Sequence, residues 1–172
     1  MIGISHDVIG DRQAPFPVLP EAVRRSRVLV VDDNPANVLL LQRLLQAAGL
    51  EYVEGYTDPR TGLERCVEAV PDLLLLDLHM PPPNGFEVME QLQATRSAHP
   101  VTILVLSADS TQMPAVFEGG ADSFLGKPFR LPDVVERVQL MLKKPHSTPA
   151  DEEPEARTHE ESTPPESGTC TS

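Results

Sequence analysis

Short apolar runs with a strand period alternate along the middle of the chain with segments whose apolar positions recur at helical spacing. The run "RVLVV" (27–31) is rich in β-branched residues and unbroken by polar ones, which predicts a strand buried on both faces. A helix follows it, with Asn34 as cap, Pro35 at the first position and Gly49 as its stop. "EYVEGY" (51–56) reads as a weaker strand and 58–70 as a helix. "DLLLL" (72–76) is a second buried run, ending in Asp77, and the loop "HMPPPNG" leads into a helix from about Phe86 to Thr95. "VTILVL" (101–106) ends at Ser107, and a short helix near 112–118 stops at Gly119-Gly120. "DSFLG" (122–126) is a last strand and 131–142 a last helix. This (βα)5 alternation predicts a parallel sheet with helices on both faces.

The pattern fades at both ends. Residues 1–26 hold Pro15, Pro17 and Pro20 with little periodicity and read as an extended leader. Residues 143–172 are acidic, rich in Pro, Ser and Thr, and almost without large apolar side chains. Such a segment cannot bury enough surface to offset its ordering entropy, so it reads as a disordered tail or linker. Residues 27–142 are left as the folded domain.

Composition narrows the partners. The net charge of −12 argues against direct nucleic-acid binding and gives no attraction to an anionic membrane surface. Much of that charge lies in residues 27–142, with 16 acidic against 8 basic side chains. Cys66 and Cys170 supply no disulfide framework and read as reduced thiols of a cytoplasmic protein. The opening "MIGISHDVIGDRQ" lacks the basic start of a signal peptide, and no apolar run approaches a membrane span.

The chemistry gathers at the strand ends. Asp32 and Asp33 close the first strand, Asp77 the third and Ser107 the fourth, while Lys127 follows the fifth. In a parallel sheet all five lie on the carboxyl edge, where such folds bind ligands. Two adjacent carboxylates in a partly buried place repel each other unless a cation joins them. Three carboxylates, a hydroxyl and an ammonium suit a hard divalent cation, Mg²⁺, together with an oxyanion.

In order and approximate spacing, "VLVVDDNPAN", "LLLLDLHMPPPNG", "ILVLSAD" and "GGADSFLGKPF" resemble the receiver domain of bacterial two-component response regulators over residues 27–142. The resemblance implies the flavodoxin-like doubly wound fold, strand order 2-1-3-4-5. It implies Asp77 as phosphoacceptor from a kinase phosphohistidine, and Mg²⁺ held by Asp33, Asp77 and the backbone carbonyl of His79, with Asp32 acting through water. Ser107 and Lys127 would hold the phosphoryl oxygens, and Phe124 matches the aromatic that swings inward on activation. A cis Lys127–Pro128 bond is also implied. So are a histidine kinase or histidine phosphotransfer protein as partner, a possible homodimer, and no enzymatic activity beyond self-phosphorylation and self-dephosphorylation.

Four further expectations concern single residues and loops. Leu40, Leu41, Leu44, Leu45 and Ala48 should face the sheet from the first helix. Leu39 should stay exposed on the face that, by the resemblance, docks kinase or phosphotransfer helices. The His79 side chain should overhang the phosphoryl group. The sequence departs from the family at Pro83-Asn84-Gly85, where Met-Asp-Gly is common, so this loop should be stiffer. A dehalogenase-like phosphatase would need a second Asp two residues after Asp77, where His79 stands. A receiver that is never phosphorylated would not need the full acidic set, and a flavodoxin would want glycines and hydroxyls in place of the strand-end acids.

Overall fold

The computed structural model describes residues 17–95 and 100–143. The remaining leader and tail residues, with Cys170, lie outside the described residues. The elements run β1 (Arg27–Val31), α1 (Pro35–Ala47), β2 (Tyr52–Tyr56), α2 (Pro59–Ala69), β3 (Leu73–Asp77), α3 (Gly85–Thr95), β4 (Thr102–Ser107), α4 (Met113–Glu118), β5 (Ser123–Gly126) and α5 (Leu131–Leu142). A short 3-10 turn, Ser110–Gln112, leads into α4. All the strand pairs are parallel, in the order β2-β1-β3-β4-β5. This is the doubly wound fold expected from the sequence, with boundaries moved by a residue or two.

Strand alternation divides the core into two layers. Val28, Val30, Leu73, Leu75, Leu104 and Leu106 meet α1 and α5 on one face. Leu29, Val31, Leu74, Leu76, Ile103 and Val105 meet α2, α3 and α4 on the other. The three inner strands are therefore apolar at nearly every position, as their uninterrupted runs predicted. Edge strand β2 is half-exposed, which explains its weaker pattern.

Helix entries are set by short polar side chains. The Asn34 side chain accepts from the Ala36 amide, and Asp58 accepts from Thr61. At α3 the pairing is reciprocal: Asn84 accepts from the Phe86 and Glu87 amides, while the Glu87 carboxylate accepts from the Asn84 amide.

Two sequence readings are corrected. Leu40 does not face the sheet; it is 46% exposed beside Leu39, at 55%. The buried stripe of α1 runs through Val38, Leu41, Leu44, Leu45 and Ala48, and Leu40 is turned about 100° from Leu41, past the stripe's edge. Nor does all of 17–26 lie apart from the domain. Leu19 and Val23 are buried in the layer shared by α1 and α5. Two backbone bonds fasten the segment, from the Leu19 amide to the Ala48 carbonyl (2.7 Å) and from the Glu51 amide to the Arg24 carbonyl (2.9 Å).

Candidate functional site

Because the sheet is parallel, β1, β3 and β4 deliver their last residues to the same edge. A carboxylate oxygen from each of Asp32, Asp33 and Asp77 can be chosen so that all lie within 4.8 Å of one another. Asp32 and Asp77 are buried, at 2% and 5% exposure, whereas Asp33 is exposed. Buried carboxylates need partners, and these two share Lys127. Its Nζ lies 2.9 Å from Asp32 Oδ2 and 2.7 Å from Asp77 Oδ1. Partial burial pulls the ammonium's pKa down, but its hydrogen bonds to Asp77 and Asp32, with their charges, pull harder in the other direction. The pKa therefore stands above the ordinary lysine value.

Each carboxylate has a second support. Asp32 accepts from the Asn34 amide (2.9 Å), and its two carboxylate oxygens both accept from Asn37 Nδ2 (3.1 and 3.0 Å). Asp77 Oδ2 accepts from the His79 amide at 3.0 Å. Sequence reasoning missed Asn37. Its signal was available: an Asn in the first turn of a helix that starts just after a strand-end Asp can reach back to that Asp.

Ser107 is fully buried at the end of β4. Its Oγ accepts from the Asp109 amide (3.2 Å) and lies 3.4 Å from His79 Nδ1. The Ser107 carbonyl accepts from the Lys127 amide at 2.7 Å, which joins β4 to the loop carrying the ammonium. The Lys127–Pro128 bond in that loop is cis, as expected, and so is Pro82–Pro83 in the loop after Asp77. The Asp109 carboxylate is held by the Thr111 hydroxyl and amide, and its pKa lies below the usual value chiefly through those bonds.

Phe124 joins the apolar core rather than the hydrogen-bonded group. It is 8% exposed and packs within the apolar layer of α2, α3 and α4. The carboxylates, Lys127, Ser107 and His79 thus come together at the sheet edge, and Phe124 stands behind them.

Gly85 is a second residue that sequence reasoning passed over. A Cβ at this position would lie 2.5 Å from the Asp77 carbonyl oxygen and 2.8 Å from Leu78 Cα. Its amide donates to the Leu78 carbonyl at 3.1 Å, folding the β3–α3 loop tightly back over the strand end. Backbone atoms cannot yield as a flexible side chain would, so the close approach requires glycine.

The donor set fits a hard cation. All the side-chain ligands are carboxylate oxygens, the cluster has one exposed member open to solvent, and no soft ligand intrudes. The same edge supplies an ammonium and a hydroxyl for the oxygens of an anion.

The sequence model described as "Response regulator receiver domain" matches residues 28–139. The chain is 35% identical to "DNA-binding response regulator MtrA" of Mycolicibacterium smegmatis, over 74% of this chain and 55% of that protein. It is 36% identical to "Transcriptional regulatory protein PrrA" of Mycobacterium tuberculosis, over 73% and 54% respectively. The chain thus spans about half the length of the curated relatives it matches. Among solved structures it resembles the Vibrio cholerae chemotaxis protein CheY4, with 27% identity, a TM-score of 0.63, and coverage of 68% of this chain and 98% of that one. No helix among the described residues is long and apolar enough to cross a membrane.

Proposed function

This chain belongs to the response regulator receiver family, and from that membership we propose that it takes a phosphoryl group from a kinase phosphohistidine onto Asp77. The observation that carries the reading is the shared ammonium. Lys127 bridges a buried carboxylate just past β1 and another at the end of β3, beside a third, exposed one.

An Asp77 carboxylate oxygen attacks phosphorus in line; the new O–P bond forms as the P–N bond to the donor imidazole breaks, and that electron pair stays on the departing nitrogen. Such transfer needs positioning and neutralisation of charge on the equatorial oxygens more than covalent help. Asp33, Asp77 and the His79 carbonyl would hold Mg²⁺ directly, with Asp32 acting through water; when bound, the ion supplies much of that neutralisation. Lys127, freed from Asp77 Oδ1, turns its charge to the phosphoryl oxygens, and the Ser107 hydroxyl donates one directional hydrogen bond. Phe124, packed behind β5, then repacks with Ser107 and carries the change to the α4–β5–α5 face.

Mixing the protein with acetyl phosphate tests this reading. One phosphoryl group should be taken up in Mg²⁺ and none after chelation, because three clustered carboxylates repel an incoming phosphate without the cation. Labelling that ignores the chelator would overturn the role given to the metal. Release of phosphate from phosphorylated substrates would instead indicate an enzyme.

The kinase or phosphotransfer helix docks on α1, whose first turn borders the site and whose Leu39 and Leu40 lie side by side in solvent. Leu39→Asp should slow transfer from the cognate kinase about tenfold, the effect of losing one well-buried contact. It should leave labelling by acetyl phosphate unchanged. Equal loss with both donors would contradict docking at this face. The same reading makes the protein a cytoplasmic signalling module, acting through a partner or an attached output domain without itself contacting nucleic acid or membrane.

A further inference from the structure

His79 and Ser107 approach each other from different strand ends, and their contact bears on how the site is switched. The Ser107 oxygen already accepts from the Asp109 amide at 3.2 Å. Its single proton is therefore free to point elsewhere, and His79 Nδ1 lies 3.4 Å away. A neutral imidazole with its proton on Nε2 presents Nδ1 as an acceptor. His79 itself is exposed, but its amide is anchored on Asp77 Oδ2 at 3.0 Å, which fixes the base of the side chain. The Ser107 hydroxyl is wholly buried, so it keeps a partner rather than turning to water.

From this geometry we infer that His79 is a positioning residue: its imidazole latches the Ser107 hydroxyl away from Asp77, and phosphorylation must break that latch. The inference rests on the phosphoacceptor reading of Asp77. Ser107 has one proton to donate. It goes either to Nδ1 or to a phosphoryl oxygen on Asp77, never to both. The imidazole and the phosphoryl group therefore compete for the same donor, and the latch holds the β4 end in its resting arrangement. The His79 imidazole touches neither phosphorus nor the phosphodonor. It acts through Ser107.

Action through a second residue leaves a signature in a double-mutant cycle. The experiment measures acetyl phosphate labelling in Mg²⁺ for wild type, His79→Ala, Ser107→Ala and the double variant. With Ser107 present, His79→Ala should speed labelling by roughly threefold or more, the scale of one net hydrogen bond released. In the Ser107→Ala background the same substitution should change the rate by less than about 1.5-fold, because coupled residues lose their mutual effect. An equal fold-change in both backgrounds, or none in either, would overturn the latch.

A second readout needs no phosphodonor. The ¹⁵N shifts of the His79 ring should report the Nε2–H tautomer in wild type and a mixture of tautomers in Ser107→Ala. Ring shifts indifferent to Ser107→Ala would overturn the latch whatever the labelling rates. If wild type refuses label while the ring shifts respond to Ser107, the latch stands and the phosphoacceptor reading fails.

Discussion

Asp77→Asn is expected to lose labelling by acetyl phosphate completely while keeping the fold. Asn has the volume of Asp but no full charge on its oxygen, so the nucleophile is lost. The structure indicates why the fold should survive. Asp77 is one of three clustered carboxylates, and removing one relieves repulsion. Lys127 keeps Asp32 as partner at 2.9 Å. The Asn Oδ1 can still accept from the His79 amide, which now bonds Asp77 Oδ2. The variant should therefore unfold at the same urea concentration as wild type or a higher one, and loss of label then reports chemistry rather than collapse. Uptake at the wild-type rate would remove Asp77 from its role.

Lys127→Met carries the other large effect, this time on stability. Methionine replaces most of the aliphatic stem but leaves two carboxylates, 2% and 5% exposed, facing each other without a counter-charge. Breaking a fully buried pair costs about 3–5 kcal/mol. The Lys127 side chain is 23% exposed, so solvent screening lowers the expectation to about 2–3 kcal/mol at neutral pH. The pH dependence has a definite sign. The pKa of Lys127 is raised in the folded state, so its stabilisation is complete below the ordinary value of 10.5. It disappears as pH climbs through the higher folded value. The gap between wild type and variant, measured by urea unfolding, should stay flat from neutrality to 10.5 and close between that value and the higher folded one. Mg²⁺ should recover more stability in the variant than in wild type, since it neutralises charges that Lys127 no longer covers. A variant as stable as wild type at neutral pH would contradict the bridging role.

The strands were legible because three of them are buried on both faces and cannot tolerate polar interruptions; Leu73 to Leu76 is the clearest case. The site was legible for a related reason: in a parallel sheet, strand-end residues share an edge whatever their distance in sequence, so Asp32, Asp33, Asp77, Ser107 and Lys127 could be assembled from order alone. Contacts that depend on side-chain direction were not. The 100° spacing of a helix placed Leu40 at the margin of the apolar half, and only the width of the real stripe decides such a residue. Asn37 was passed over although an Asn in the first helical turn after a strand-end Asp is a readable signal, whereas Gly85 was hidden because its constraint is a backbone approach across the β3–α3 loop. Leu19 and Val23 escaped notice because one lies in extended chain and the other on the short 3-10 turn Glu21–Val23, so there is no period to detect.

If Asp77 receives the phosphoryl group it becomes an aspartyl phosphate, an acid derivative that borohydride reduces to homoserine. Wild-type protein, treated with acetyl phosphate and Mg²⁺ and then with borohydride, should give homoserine at position 77 alone when its peptides are sequenced by mass spectrometry. Homoserine at position 32 or 33 with an intact Asp77, or the same yield in chelator, would contradict the account.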